Sequence, residues 1–269
     1  MLACDKMTPL QAIVLGAIQG LTEFLPVSSS AHLYVVPTLL HWKYAGVAFD
    51  VALHWGTLAA LLLAFGKDWL RLAISVFVGD RATKSWARST WLKLIVASIP
   101  GAVAGFLLRD AAETMLRQLP LQATMLIVFG FLLWWVDKVR PLGPAVATPG
   151  WGACLAMGFA QALALVPGVS RSGITITAGR AMGVERVSAA RFSFLLATPI
   201  TFGAGLLEFR HLSPDLPTGI LACGVITSAV VGLFAIRGLL RWLGHSGFGG
   251  FFAYRTVLAL VILASLLRR

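Results

Sequence analysis

Charge is scarce in this chain. Asp, Glu, Lys and Arg make up 12% of its 269 residues, against about 25% in an average soluble domain. With 58% of residues hydrophobic, a water-facing surface cannot be covered at that density. A soluble globular protein is excluded, and an all-α polytopic membrane protein is expected. Acids are the scarcer sign, 11 against 22 basic residues, for a net charge of +11. That balance could suit nucleic acid, but the basic residues fall between oily segments, so positive cytoplasmic loops account for it better. There are only three cysteines, Cys4, Cys154 and Cys223, with no CxxC pair, which argues against a disulfide framework and a cysteine zinc site. The start MLACDKMTPL has no basic stretch leading into an apolar run and cleavage site, so no removable signal is expected. With no low-complexity tract and no long linker, residues 1–269 are read as one membrane domain.

The stretch Gly16–His32 is the part that apolar burial does not explain. It opens as an oily helix and then sets Gln19, Glu23, Ser28, Ser29, Ser30 and His32 among membrane-like neighbours. Gln19 and Glu23 are four apart and share a helix face. Leu25-Pro26 stops the helix, because a residue before proline resists the helical region. The serines therefore fall in a broken turn. Met7–Leu25 is barely long enough to cross a hydrocarbon core that needs about 20 residues, and Ala31–Leu40 is shorter. Two short helices around a polar break fit a re-entrant pair, tolerated where protein or a water-filled cavity covers the backbone. Trp151–Val166 and Ser172–Met182, broken at Pro167-Gly168, repeat the pattern. About six spanning helices complete the set: Phe49–Phe65, Trp91–Leu108, Leu121–Val136, Ser188–Glu208, Gly219–Leu240 and Phe251–Leu267. The apolar stretch Leu70–Val78 is expected to lie along the interface, and Pro100-Gly101 to kink its helix.

If Lys67–Lys93, Lys138–Arg140, Arg180–Arg191 and Arg237–Arg255 face the cytoplasm, those regions hold fourteen of the 22 basic residues. Lys6, Lys43, Arg109, Arg117, Arg210, Arg268 and Arg269 then face outward, and Arg171 is left for the break. This follows the positive-inside rule with both termini outside. The first broken pair then enters from outside and the second from the cytoplasm.

A shift of 142 residues lays GAIQGLTEFLPVSSSA (Gly16–Ala31) over GFAQALALVPGVSRSG (Gly158–Gly173) without a gap. Gly16 meets Gly158, Gln19 meets Gln161, Val27-Ser28 meets Val169-Ser170, and Ser30 meets Ser172. Two Gly/Ala/Leu-rich helices can match by chance, but this match carries the glutamine, the serines and the break. With opposite entry directions it reads as an inverted repeat, with halves of roughly 1–140 and 141–269, whose discontinuous helices meet near the midplane. The copies differ where the chemistry lies. Glu23 faces Leu165 in the alignment, Ser29 faces Arg171, and His32 faces Ile174.

A charge inside a membrane segment marks a functional site by default. The planar fork of Arg171 suits phosphate, with Gly168 and Gly173 allowing close backbone approach and the following helix aiming its first amides at an anion; a structural ion pair with Glu23 is the plain alternative. Glu23 suits a divalent cation or a general base, or is simply a hydrogen-bonded buried acid. Gln19 is a neutral oxygen ligand, an orienting donor or a packing amide. Ser29 is a candidate nucleophile needing His32 or Glu23 as base, and His32 a candidate acid or base. Ser28 and Ser30 suit helix-end amides. Asp50 and His54 share a face of the first spanning helix, where a place on the cavity and a place at the outer interface are equally compatible.

QGLTEFLPVSSSAH resembles the (E/Q)xxxE and PVSS-x-x-H signature of the undecaprenyl-diphosphate phosphatases, the bacitracin-resistance family, and PGVSRSGIT (Pro167–Thr175) resembles that family's PGxSRSxxT motif. The resemblance implies an inner-membrane hydrolase that removes the terminal phosphate of undecaprenyl diphosphate and regenerates the lipid carrier for peptidoglycan synthesis. Its implications extend to an inverted-repeat fold, a site open to the periplasm, and a divalent cation, Mg²⁺ or Ca²⁺, with Glu23 as its ligand. By matching position, Glu23, Ser29, His32 and Arg171 form the expected catalytic set, and Gln19, Ser28, Ser170, Ser172 and Thr175 bind substrate. Many members carry glutamate where this chain has Gln19, so a one-carboxylate site is expected. The nucleophile is left open between Ser29, His32 and water, and the partners are the lipid substrate, the bilayer and, for assembly, a homodimer. The competing class is a carrier that flips a polyprenyl phosphate, since inverted repeats with broken helices also build transporters.

Overall fold

The computed structural model describes residues 7–43, 46–108, 118–208 and 217–267, and among them the chain is helical with no strand. Cys4, Lys6, Arg109, Arg117, Arg210, Arg268 and Arg269 lie outside the described residues. Eleven helices follow in order: α1 (Pro9–Phe24), α2 (Ser29–Leu39), α3 (Val47–Ala64), α4 (Gly66–Ser75), α5 (Arg81–Leu107), α6 (Leu119–Val139), α7 (Trp151–Leu163), α8 (Arg171–Ala181), α9 (Arg186–Glu208), α10 (Thr218–Leu243) and α11 (Gly249–Leu267). Helices α5, α6, α9, α10 and α11 are each long and apolar enough to cross a bilayer, and α3 and α4, bent by 65° at the break between them, together make up to a sixth span. Six spans are the number the hydropathy pattern requires, and α4 is the segment expected along the interface. Its Leu72 is buried while Leu70, Arg71 and Ile74 are exposed.

Helix α5 starts ten residues before the apolar run does. Asp80 caps it, its Oδ1 accepting the Thr83 amide at 2.8 Å. An N-cap acceptor of this kind contributes about 1 kcal/mol, so the basic stretch from Arg81 is the first turns of a helix, not a loop. Pro100 lies inside α5 without ending it.

Helices α1 and α2, of 16 and 11 residues, and α7 and α8, of 13 and 11, are too short to cross alone. Thr8 starts α1 with a reciprocal cap to Gln11, and Leu25 turns to extended backbone before Pro26. The two breaks share a backbone form: Ser28 has φ 72° and ψ 95°, and Ser170 has φ 74° and ψ 114°. Positive φ is uncommon outside glycine and costs on the order of 1–3 kcal/mol unless its surroundings enforce it. Its recurrence 142 positions apart extends the sequence correspondence to local geometry.

The short helices are held by close approaches. Helix α1 lies on α10 so tightly that a Cβ on Gly16 would run into the Gly224 carbonyl, and one on Gly20 would sit 2.6 Å from the Ser228 oxygen. Helix α7 lies on α5 in the same way, with a Gly158 Cβ 2.5 Å from the Ala97 oxygen. Helix α9 fills the centre, where Phe194 meets Phe24 edge-on at 5.5 Å and packs against Phe65.

Two arginines counted above among the cytoplasmic loop charges lie elsewhere. Arg180 and Arg255 are both fully buried, held by a carboxylate and carbonyls in one case and carbonyls alone in the other. Arg180 donates to Asp137 Oδ1 at 2.9 Å and to the Val184 and Arg140 oxygens at 2.7 and 2.8 Å, and Arg186 reaches the same carboxylate at 2.8 Å. These contacts tie the C-terminal end of α8 to α6. The excess of positive charge on the assigned side survives their removal from the count, because twelve of the fourteen remain.

Candidate active site

The two breaks meet each other across the fold. The Gly168 amide donates to Ser28 Oγ at 3.2 Å, and Ser172 Oγ donates to the Leu25 oxygen at 3.2 Å. Each break supplies a partner that the other lacks, which is how exposed backbone at membrane depth is satisfied. A cavity of about 230 Å³ lies beside this junction, lined on its polar side by Glu23, Ser28, Ser29, Ser30, His54 and Arg171.

Glu23 is the centre of the arrangement. It is buried, at 7% exposure, and both its oxygens are engaged. Oε1 pairs with the Arg171 guanidinium across 148 residues of sequence. Oε2 accepts from Ser29 Oγ at 2.6 Å and from Gln19 Nε2 at 3.1 Å. His54 Nε2 stands 3.5 Å from the same oxygen. The ion pair weighed as the plain alternative for Arg171 is therefore present, yet Arg171 also lines the cavity. A carboxylate that holds a serine hydroxyl on one oxygen and a guanidinium on the other couples a potential nucleophile, its base and an anion binder in one space.

The remaining residues divide. Ser28 and Ser170 line the cavity. Ser170 Oγ accepts the Gly173 amide at 3.2 Å, so it also caps α8. Ser172 faces the first break and bonds to Leu25. Thr175 Oγ1 donates to the Arg171 oxygen at 2.8 Å and meets Ser193 Oγ at 2.6 Å. Ser172 and Thr175 thus brace the loop that carries Arg171 and are not among the lining residues. Gln19 is fully buried behind Glu23.

His32 is not brought to the cavity. Its Nδ1–H donates to the Ser28 oxygen at 2.7 Å, and Nε2 faces the Tyr254 hydroxyl at 2.7 Å, 222 residues away. Its ring lies parallel to the tyrosine ring, with centroids 5.7 Å apart and an interplanar angle of 3°. Both nitrogens thus have partners, one of them within the first loop, and His32 is not among the residues that line the cavity.

His54 takes the place the sequence left undecided. Its Nδ1–H donates to the Asp50 oxygen at 2.7 Å, since a carbonyl can only accept. That bond fixes the ring and leaves Nε2 toward Glu23 and the cavity. Gln161, visible in the sequence only as the counterpart of Gln19, lines the cavity too. Its Nε2 donates to the Ala97 oxygen at 3.3 Å, and its Oε1 finds no partner among the described residues. Val51, Ala164, Leu165, Ile200 and Ala204 form the apolar wall.

Residues 12–261 match the family described as bacitracin resistance protein BacA. The chain is 48% identical over 262 residues to the undecaprenyl-diphosphatase of Pelotomaculum thermopropionicum, covering 96% of this chain and 98% of that one. It is 48% identical over 263 residues to the undecaprenyl-diphosphatase of Desulforudis audaxviator, at 97% and 100% coverage. The protein of that name from Gemmatimonas aurantiaca is 46% identical over 269 residues, at 98% and 100%.

Proposed function

This chain belongs to the family of the bacitracin resistance protein BacA, and from that premise we propose that the Glu23 cavity is where it works on undecaprenyl diphosphate. The protein is a membrane hydrolase that cleaves undecaprenyl diphosphate to undecaprenyl phosphate and inorganic phosphate, serving peptidoglycan synthesis and bacitracin resistance. The observation that carries the assignment of the cavity is the bond from Ser29 Oγ to Glu23 Oε2 at 2.6 Å beside the Arg171 guanidinium.

In the mechanism, the diphosphate draws Arg171 from Glu23 onto its own oxygens, and the apolar wall takes the first units of the lipid chain. Ser29 Oγ attacks the terminal phosphorus while Glu23 Oε2 takes its proton. The bond from phosphorus to the bridging oxygen breaks, and undecaprenyl phosphate leaves. Glu23 gives that proton up by way of His54 Nε2, 3.5 Å from the same oxygen, and, ionised again, takes one from the water that attacks the phosphoserine and returns it to Ser29 Oγ as phosphate leaves. His54 Nε2, facing the same carboxylate oxygen, is placed to hand a proton to a departing phosphate oxygen. The rate gain is mainly positioning and electrostatics, because phosphoryl transfer offers little other chemistry for a protein to supply.

A divalent cation is part of this reading. Among the described residues no cluster of three His, Cys, Asp or Glu side chains could hold one alone. Glu23 offers one carboxylate, and beside it Gln19 Oε1 is a buried oxygen without a partner among the described residues. Hard oxygen donors of this kind fit Mg²⁺ or Ca²⁺ shared with substrate phosphates and water, and Glu23 and Gln19 would hold it. When bound, it would neutralise charge developing on the diphosphate. Chelation is expected to abolish phosphate release and Mg²⁺ or Ca²⁺ to restore it; undiminished release in EDTA would remove the cation from the account.

We place the protein in the bacterial inner membrane with the cavity toward the periplasm, supported by the bias of basic residues, and read the two broken pairs as the halves of an inverted repeat. The mass of the detergent-solubilised particle distinguishes one copy from a homodimer. The serine step is tested by rapid acid quench with ³²P-labelled substrate: label is expected on Ser29, and Ser29→Ala is expected to lower kcat by about 10³-fold, as loss of a positioned nucleophile does. Robust turnover by Ser29→Ala would shift the attack to water. Intact lipid binding without phosphate release by the wild type would favour the carrier reading instead.

A further inference from the structure

Arg255, in the second turn of α11, does not line the cavity, yet it touches both halves of the site. Its guanidinium is fully buried. It donates to the Pro26 oxygen at 3.2 Å in the first break. It donates to the Gly168 and Val169 oxygens at 2.7 and 3.1 Å in the second. It also donates to Leu126 and Met125 on α6, at 2.8 and 3.2 Å. Pro26 lies three residues before Ser29, and Val169 two before Arg171. All five acceptors are backbone carbonyls, and no acidic side chain pairs with Arg255 among the described residues. The five carbonyls come from three segments: the first break, the second break and α6.

We propose that Arg255 is a positioning residue for phosphoryl transfer: it sets the register of the Ser29 loop against the Arg171 loop. A buried guanidinium without a counter-ion is expensive in a membrane protein, and three of the carbonyls it collects, those of Pro26, Gly168 and Val169, are freed by the two breaks. The fork geometry matters. Lysine offers a point charge and cannot reach five carbonyls in three directions, so Arg255→Lys keeps the charge and loosens the register. The two direct cross-bonds, Gly168 to Ser28 and Ser172 to Leu25, are at 3.2 Å and remain to hold the loops loosely.

Gly130 on α6 offers a second, gentler handle. A Cβ there would stand 3.1 Å from Arg255 Nε and 3.2 Å from its Cδ. Gly130→Ala therefore displaces the clamp by a few tenths of an ångström while favouring the helix that carries it. Arg180→Lys is the control: an equally buried arginine, held by Asp137 and by carbonyls at the other end of α8, away from the cavity.

The inference rests on the cavity being the active site, so the experiment includes Glu23→Gln. Purified wild type, Arg255→Lys, Gly130→Ala, Arg180→Lys and Glu23→Gln are compared for kcat, KM and thermal midpoint on undecaprenyl diphosphate. Arg255→Lys is expected to lose about 10–100-fold in kcat, the usual range for residues that orient a reacting group, with KM changing little. Gly130→Ala is expected to lose kcat about tenfold at an unchanged or higher midpoint. Arg180→Lys is expected to lower the midpoint and leave kcat per folded molecule unchanged. Wild-type kcat in Gly130→Ala and in folded Arg255→Lys, with Glu23→Gln inactive, overturns the clamp alone. Wild-type kcat in Glu23→Gln overturns the cavity reading. If Arg255→Lys does not fold, Gly130→Ala decides the question.

Discussion

Glu23→Gln is expected to lower kcat for undecaprenyl diphosphate by about 10³-fold or more. Loss of a general base alone costs about 10²–10⁴-fold. The amide is nearly isosteric, so packing against Gln19 and Ser29 is preserved, but the carboxylate also holds Arg171 and would carry the cation. All three roles fail together, and such losses do not add as independent terms. Phosphate release by purified protein, with folding checked by circular dichroism, measures the effect. A glutamine variant within tenfold of wild type would mean that Ser29 is deprotonated by another group.

Asp137→Ala is expected to be the most damaging substitution away from the cavity. Asp137 is 5% exposed and its carboxylate serves Arg180, which is fully buried, and Arg186. Removing one partner of a buried pair costs about 3–5 kcal/mol because the remaining charge stays uncompensated. For a chain of this size that corresponds to about 10 °C or more in thermal midpoint. Two guanidiniums left facing each other add repulsion. The measurement is a thermal scan in detergent beside Asp137→Asn, expected to lose less because the amide oxygen still accepts one bond. A midpoint within 2 °C of wild type would show that the carbonyls around Arg180 suffice without the acid.

Much of this site is legible in the sequence because its signals are local. Pro26, Pro167-Gly168 and the serines mark the breaks by backbone chemistry, and a 142-residue shift pairs them. Glu23, Ser29 and Arg171 stand out as polar groups in apolar runs, and the structure brings these three together. His32 is equally conspicuous in the sequence, but its direction is set by Tyr254, 222 residues away, and no local pattern carries that contact. Ser172 and Thr175 follow the same logic: their motif says polar, while packing against Leu25 and Ser193 decides which way they face.

The residues that sequence reasoning underweighted were visible in a different form. Asp50 and His54 share a helix face by spacing, but only the fold says that the face meets Glu23. Arg255 sits inside the apolar run FFAYRTVLALVILA, the setting that singled out Arg171, and a loop-charge count hid it. The start of α5 was obscured because Asp80, not hydropathy, sets it. Long-range hydrogen bonds and caps, unlike apolar periodicity, have no repeat for a sequence to display.

The Arg255 contacts bear on how the enzyme comes into being. Glu23, Ser29 and Arg171 belong to helices and breaks synthesised before α11, which is the last of the eleven described helices to leave the ribosome. A nascent chain paused before α11 already holds every reacting group in the bilayer but lacks the guanidinium that sets them in register. On the proposed role of Arg255, full catalytic competence is expected to arrive as an event of membrane insertion late in translation, and a chain stopped before α11 is expected to turn over the lipid carrier far more slowly than the whole one.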